Sequence, residues 1–256
     1  MIDIHCHILP GIDDGAKDLP MALEMANLAV AEGISHILAT PHYKNNKYDN
    51  DSKIITQAAA NFQEELDRRG IKLNVFAGQE VRIHGDLMAN IEKGEVLFAD
   101  LNQRYLLLEF PSQNVPLFSR QVIFDLLSAG IQPVIVHPER NRELMADIDK
   151  LQAFIDQGCY AQLTAASYTG EFGKEVEAAA EEMLKRGLVH IMASDAHRPS
   201  GPRAYHMVKA FAKMEKSYLE TSVFDMQQNA KALINGDPLM TDFLQAKTKK
   251  KFFGLF

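Results

Sequence analysis

The chain has 256 residues, 46% apolar and 24% charged with no tryptophan, which suits a globular protein with a sizeable core. Its formal charge of -7 argues against a nucleic-acid binder working by broad phosphate neutralisation, yet leaves room for a local cationic pocket. The amino terminus lacks the basic, apolar and small-residue pattern of a signal peptide, and no stretch reaches the roughly 18 apolar residues of a spanning helix, so a cytoplasmic location is expected. In that compartment Cys6 and Cys159 read as reduced thiols.

Short apolar, β-rich runs fall at 2–5, 36–40, 73–80, 105–110, 132–137, 159–164 and 189–194. Between and after them lie segments with apolar residues at helical spacing: 20–32, 51–69, 85–93, 116–129, 145–157, 172–186, 203–214 and 222–235. Gly33, Gly70, Gly130, Gly158 and Gly187 stand where glycine would cap the preceding helix. Strict alternation predicts an α/β fold of parallel strands with crossover helices, forming one domain over 1–246 followed by a tail at 247–256. Seven such units fit either a closed barrel or an open, doubly wound sheet.

The polar residues at the strand ends favour the barrel. His5 and His7 end the first run, His42 follows the second in Thr40-Pro41-His42, Glu80 ends the third and Glu109 the fourth. His137 ends the fifth, and Asp195 and His197 follow the seventh. Parallel β/α folds gather their active sites at the carboxyl ends of the strands, and a ring aims all of these residues at one mouth. On an extended strand His5 and His7 share a face while Cys6 points away, which makes a two-pronged metal clamp. Asp195 and His197 repeat the arrangement if the backbone stays extended there.

With Asp14, from the Asp13-Asp14-Gly15 turn, this gives nine candidate ligands: His5, His7, Asp14, His42, Glu80, Glu109, His137, Asp195 and His197. Imidazoles and carboxylates suit manganese, iron or zinc, and nine donors exceed the needs of one ion. By the same polarity rule His36 and His190, at the amino ends of their strands, and His206, inside a helical segment, are structural or exposed. His84 lies near enough to the mouth to support a ligand. Asp13 and Asp14 have a competing reading as turn residues.

Arg140 in the loop His137-Pro138-Glu139-Arg140, and Arg203, six residues beyond His197, present planar donor forks suited to phosphate, unless they pair with Glu139 or Asp195. A cysteine-phosphatase loop, C-x5-R, is absent because Ile12 and Ala165 stand six residues beyond Cys6 and Cys159.

IDIHCHILPGIDDGAKD at 2–18, ATPH at 39–42, GQE at 78–80, LEFP at 108–111, HPER at 137–140 and SDAH at 194–197 resemble the polymerase-and-histidinol-phosphatase (PHP) superfamily. Within it the whole chain is similar to the manganese-dependent protein-tyrosine phosphatases of bacterial capsule and exopolysaccharide operons. The resemblance implies a distorted (β/α)7 barrel with three metal ions, most simply manganese. His5, His7, Glu80 and Asp195 would hold the first, Glu80 would bridge to a second held by Glu109 and His137, and Asp14, His42 and His197 would hold the third. Arg140 and Arg203, with Asp14, make up the implied catalytic set around the substrate phosphate. The implied partner is a membrane-associated bacterial tyrosine kinase, and the implied reaction is in-line attack on phosphorus by a metal-activated water without a phosphoenzyme.

The nearest rival is a small-molecule phosphomonoesterase such as a histidinol-phosphate phosphatase, and the non-enzymatic rival is a metal-binding regulatory scaffold. The tail KTKKKFFGLF sets four lysines beside three phenylalanines, a composition able to rest on an anionic membrane surface at roughly 1 kcal/mol per basic residue.

Overall fold

Runs rich in β-branched residues fold here as parallel strands, and the amphipathic stretches between them as crossover helices, over the residues 1–247 that the computed structural model describes. The tail at 247–256, Lys247 excepted, lies outside those described residues. Among them the strands are β1 (Ile2–Cys6), β2 (His36–Ala39), β3 (His42–Tyr43), β4 (Asn74–Ala77), β5 (Glu80–Arg82), β6 (Tyr105–Glu109), β7 (Gln132–Val136), β8 (Tyr160–Thr164) and β9 (Ile191–Ala193). All pairings between them are parallel, in two sheets ordered β1-β2-β4 and β3-β5-β6-β7-β8-β9. Main-chain bonds from Asp195 N–H to the His5 carbonyl (2.8 Å) and from His7 N–H to the Ala196 carbonyl (2.9 Å) join β1 to the segment after β9.

Nine strands appear because a short extra strand forms beyond the second predicted run and the third run is broken. Pro41 has no N–H to continue the ladder, so β2 stops at Ala39 and the chain forms β3 only after the proline, beyond the predicted run. The third breaks at Gly78-Gln79. A Cβ at Gly78 would lie 2.6 Å from Leu38 Cγ, so glycine is what lets the two strands approach there. Glu80 therefore opens β5 rather than ending a strand, and it pairs in register with His42, the first residue of β3.

The helices are α1 (Leu19–Ala31), α2 (Ser52–Arg68), α3 (Leu87–Glu92), α4 (Ser119–Ser128), α5 (Arg142–Ala146), α6 (Asp149–Asp156), α7 (Ala165–Tyr168), α8 (Lys174–Lys185), α9 (Met207–Ser217) and α10 (Glu220–Asn235). Asp18 and Asp51 cap α1 and α2 by accepting main-chain N–H bonds, and the five predicted capping glycines all adopt positive φ. His206 is not inside a helix as expected; it precedes α9 with φ 53° and its Nε2 lies 2.9 Å from the Gly201 carbonyl.

Each central strand is buried on both faces. Leu106 and Leu108 of β6 enter the apolar layer beneath the helices, whereas Tyr105 and Leu107 enter a second cluster with Ile4, Val134, Val136, Ile191 and Leu233 of α10. Full burial of each such side chain contributes about 1.5–3 kcal/mol, enough to hold the strand ends as a rigid platform. No helix of the described residues is long and apolar enough to cross a membrane.

Candidate metal centre

The end of β1 begins the site. His5 is fully buried, with Nδ1 2.9 Å from Gln162 Oε1 of β8, while Cys6 faces the apolar layer. His7 lies one residue past β1, and its Nε2 comes within 3.3 Å of His5 Nε2. The returning turn explains the rest of that segment. Asp13 Oδ2 lies 2.6 Å from His7 Nδ1, and Ala16 N–H donates to the His7 carbonyl (3.0 Å). Gly15 passes so close that a Cβ there would stand 2.0 Å from the His7 carbonyl oxygen.

Glu80 is the hub. Its Oε2 lies 3.2 Å from His7 Nε2, 3.5 Å from His5 Nε2 and 2.7 Å from His42 Nδ1, and its Oε1 lies 2.6 Å from His137 Nε2. Asp195 Oδ1 stands 3.4–3.5 Å from nitrogens of His5, His7 and His197. Asp14 Oδ1 lies 3.2 Å from His42 Nε2 and 3.5 Å from His197 Nε2. Glu109 Oε2 is 3.8 Å from His42 Nδ1. All nine predicted side chains thus converge, although 192 positions separate His5 from His197.

The segment Asp195-Ala196-His197 reaches the cluster differently from the expectation. Asp195 has φ 49°, so the backbone is left-handed rather than extended, and His197 Nδ1 lies 2.9 Å from the Asp195 carbonyl. His137 is likewise left-handed at φ 37°. Neither is glycine; their main-chain N–H groups are pinned to the His5 and Gln162 carbonyls, which holds two unfavourable conformations where they aim side chains inward.

The donor set fits divalent cations. Three overlapping groups, His7-Asp14-His42-His197, His5-His7-Glu80 and His42-Glu80-Glu109, each bring one ligand atom per residue within 4.8 Å of the others. Asp14 Oδ1, His42 Nδ1, Glu80 Oε2 and His197 Nε2 are buried and make no well-aligned hydrogen bond although they crowd one another at 2.7–3.5 Å, a costly condition that coordination would relieve.

The charges interlock. Burial opposes ionisation of Glu80, but His42 and His5 outweigh it and hold the carboxyl well below its usual range. For Glu109 burial, then the Glu80 charge, push the carboxyl up to about 7. Burial and then the neighbouring Arg140 bring His137 down to about 4; burial and then His7 do the same to His197. Those two rings are held neutral, the form that ligates a metal, whereas at His5, His7 and His42 the neighbouring carboxylates outweigh burial and push the imidazole up, His42 to about 10.

Arg140 ion-pairs with Asp195, as the sequence allowed, and its guanidinium lies over the Phe172 ring, 5.1 Å from the centroid. Arg203 Nη1 donates to Asp14 Oδ2 (2.9 Å). Both line an open cavity of about 330 Å³ together with Asp14, His42, Glu80 and Glu109. His84 stands beside Arg82, whose carbonyl lies 2.7 Å from its Nδ1. Sequence reasoning missed Gln162 and Arg82 and gave Asp13 only a turn role. Arg82 had a signal, since it shares a strand face with Glu80 two residues earlier. Gln162 had none, lying inside an apolar run.

Cys6 and Cys159 are buried, with thiols pushed up by burial, Cys159 to about 12. A thiolate nucleophile is thereby disfavoured.

Comparison with known proteins agrees with this geometry. YwqE of Bacillus subtilis, a tyrosine-protein phosphatase, is 37% identical over 256 residues, covering 100% of each chain. CapC of Staphylococcus aureus is 32% identical over 259 residues, again covering 100% of both. A crystal structure from work on YwqE and on CpsB of Streptococcus pneumoniae, described as metal-dependent tyrosine phosphatases, superposes with a TM-score of 0.90 at 37% identity, covering 97% of this chain and 100% of the other. A family model for capsular polysaccharide synthesis, CpsB/CapC, matches residues 1–235, and the chain belongs to that family.

Proposed function

We propose that the protein is a metal-dependent protein-tyrosine phosphatase acting in capsular or exopolysaccharide synthesis, in the cytoplasm, on a bacterial tyrosine kinase and related phosphoproteins. The observation that carries this reading is the convergence of nine imidazole and carboxylate side chains, seven of them lining one open cavity with Arg140 and Arg203 and His5 and His7 buried against them. Full-length similarity to named tyrosine phosphatases supports the substrate class.

In this reading the two sheets, joined through His5, His7, Asp195 and Ala196, form one distorted (β/α)7 barrel with the site at its carboxyl mouth. His5, His7, Glu80 and Asp195 would hold one manganese ion, Glu80, Glu109 and His137 a second, and Asp14, His42 and His197 a third, an assignment that draws on donors crowded together in three overlapping groups. Ions so held supply Lewis-acid polarisation of the phosphoryl group and lower the pKa of water.

The chain's own residues bind and orient. Arg140 and Arg203 offer guanidinium N–H donors to the phosphoryl oxygens, and Phe172 backs Arg140 from one side. Asp14 stays ionised, because His197, His42 and Arg203 together overcome its burial, and it anchors Arg203 at the mouth. With both thiols buried, hydrolysis proceeds without a cysteinyl phosphate. The open cavity separates this reading from a metal scaffold, whose structural sites close around the ion.

The test is turnover by manganese-reconstituted protein of a phosphotyrosine peptide, a phosphoserine peptide and histidinol phosphate, beside an Arg140→Ala control. Preference for the phosphotyrosine peptide, lowered on the order of a hundredfold in the control, supports the proposal. Preference for histidinol phosphate moves the protein to small-molecule metabolism, and undiminished turnover by demonstrably metal-free protein refutes the metal mechanism.

A further inference from the structure

Arg82 stands two residues beyond Glu80 on the same face of β5, directly in register with Glu109 of β6. Its guanidinium grips that carboxylate with both prongs, Nε donating to Oε2 (2.9 Å) and Nη2 to Oε1 (2.8 Å). The pair is largely shielded, with side-chain exposures of 18% for Arg82 and 8% for Glu109, and both line the cavity of the metal centre. Bidentate guanidinium–carboxylate pairing fixes the plane of the carboxylate as well as its charge.

That plane matters because Glu109 is bound on one side and open on the other. Each of its oxygens takes one prong of Arg82 and keeps a further lone pair, while Oε2 faces His42 and the Glu80 hub. Loss of Arg82 would leave the carboxylate free to rotate about its terminal torsion, which is broad and roughly two-fold in glutamate. It would also leave that charge buried close to Glu80 without its guanidinium partner.

We propose that Arg82 is a positioning residue that fixes the Glu109 carboxylate for metal coordination, acting through that ligand rather than on substrate. This inference rests on the assignment of Glu109 as a ligand in the proposed function. It makes the ion between Glu80, Glu109 and His137 the most sensitive to position 82.

The experiment titrates manganese, by calorimetry, into full-length protein stripped by chelator, comparing the wild type with Arg82→Gln and Arg82→Lys and following thermal unfolding in parallel. Expected is a loss of manganese affinity on the order of ten- to a hundredfold in one class of sites in Arg82→Gln. Partial recovery is expected in Arg82→Lys, which keeps the charge but not the fork. Inhibition by inorganic phosphate at saturating manganese should stay unchanged.

Manganese binding equal to wild type in folded Arg82→Gln overturns the proposal. So does unchanged manganese binding with lost phosphate inhibition, which would make Arg82 a substrate contact instead. If Arg82→Gln fails to fold, Arg82→Lys decides alone, because affinity equal to wild type would show the fork to be dispensable. Wild-type protein that takes up no manganese removes the ligand assignment itself, an outcome visible before any variant is compared.

Discussion

Asp13 Oδ2 lies 2.6 Å from His7 Nδ1, so the carboxylate sets which nitrogen of the ring faces Glu80 and Asp195. Such outer carboxylates orient and strengthen histidine ligands. Asp13→Asn keeps the shape but removes the charge, and should weaken manganese binding on the order of tenfold or more, as read by metal titration. Binding equal to wild type would leave Asp13 with only its turn role.

Gly15→Ala should be among the more damaging single-methyl changes. The added Cβ would meet the His7 carbonyl at 2.0 Å and the His7 Cβ at 2.5 Å, so either the turn or the end of β1 must move. Overpacking of this kind costs about 1–3 kcal/mol, or about 2–4 °C of Tm per kcal/mol in a chain of this size. Because His7 moves with it, metal affinity should fall together with Tm. An unchanged melting curve would show the turn to be more pliable than the contact implies.

His190 gives a pH dependence remote from the ligand cluster. It is 1% exposed, packs edge-on to Tyr160 and stands with Nδ1 3.2 Å from Ala161 N–H, positioned as a neutral acceptor. Burial lowers its pKa from 6.5 to about 4. The unfolded chain therefore binds the proton first, so this residue's contribution is complete above about pH 6.5 and is lost as pH falls towards 4, at about 1.4 kcal/mol per unit. His190→Gln keeps an acceptor without titrating. Denaturant unfolding from pH 7.5 to 4.5 should show wild type losing stability faster than the variant, and parallel curves would count against a buried neutral imidazole.

Thiol chemistry should be silent. Iodoacetamide applied to native protein near pH 7.5 should leave both mass and phosphatase rate unchanged, since Cys6 and Cys159 are buried and their thiols pushed up. Rapid inactivation with labelling of Cys6 would return a redox or nucleophilic role to consideration.

The convergence of the nine side chains was legible in sequence because strand ends leave a simple trace: a polar residue closing an apolar run. That trace found residues as distant as His5 and His197 and predicted parallel α/β order. It failed where backbone geometry departs from its regular period. The positive φ at Asp195 accompanies a main-chain bond from its N–H to the His5 carbonyl, a long-range contact without a local signature. The break before Glu80 depends on Leu38 crossing Gly78, and the orienting bond of Gln162 on a neighbour 157 residues away. His206 was misplaced because apolar periodicity continues through a residue whose own backbone is left-handed.

The paired breaks before His42 and Glu80 make the site unusually intolerant of length change. His42 and Glu80 sit opposite one another at the start of β3 and β5, each just after an interruption of its ladder. An inserted or deleted residue at either interruption would slide one donor past the other by about 3.3 Å and reverse its face, far outside the roughly 0.5 Å tolerance of a working constellation. The spacing of these two joints behaves as a ruler against which the whole proposed ligand set is measured.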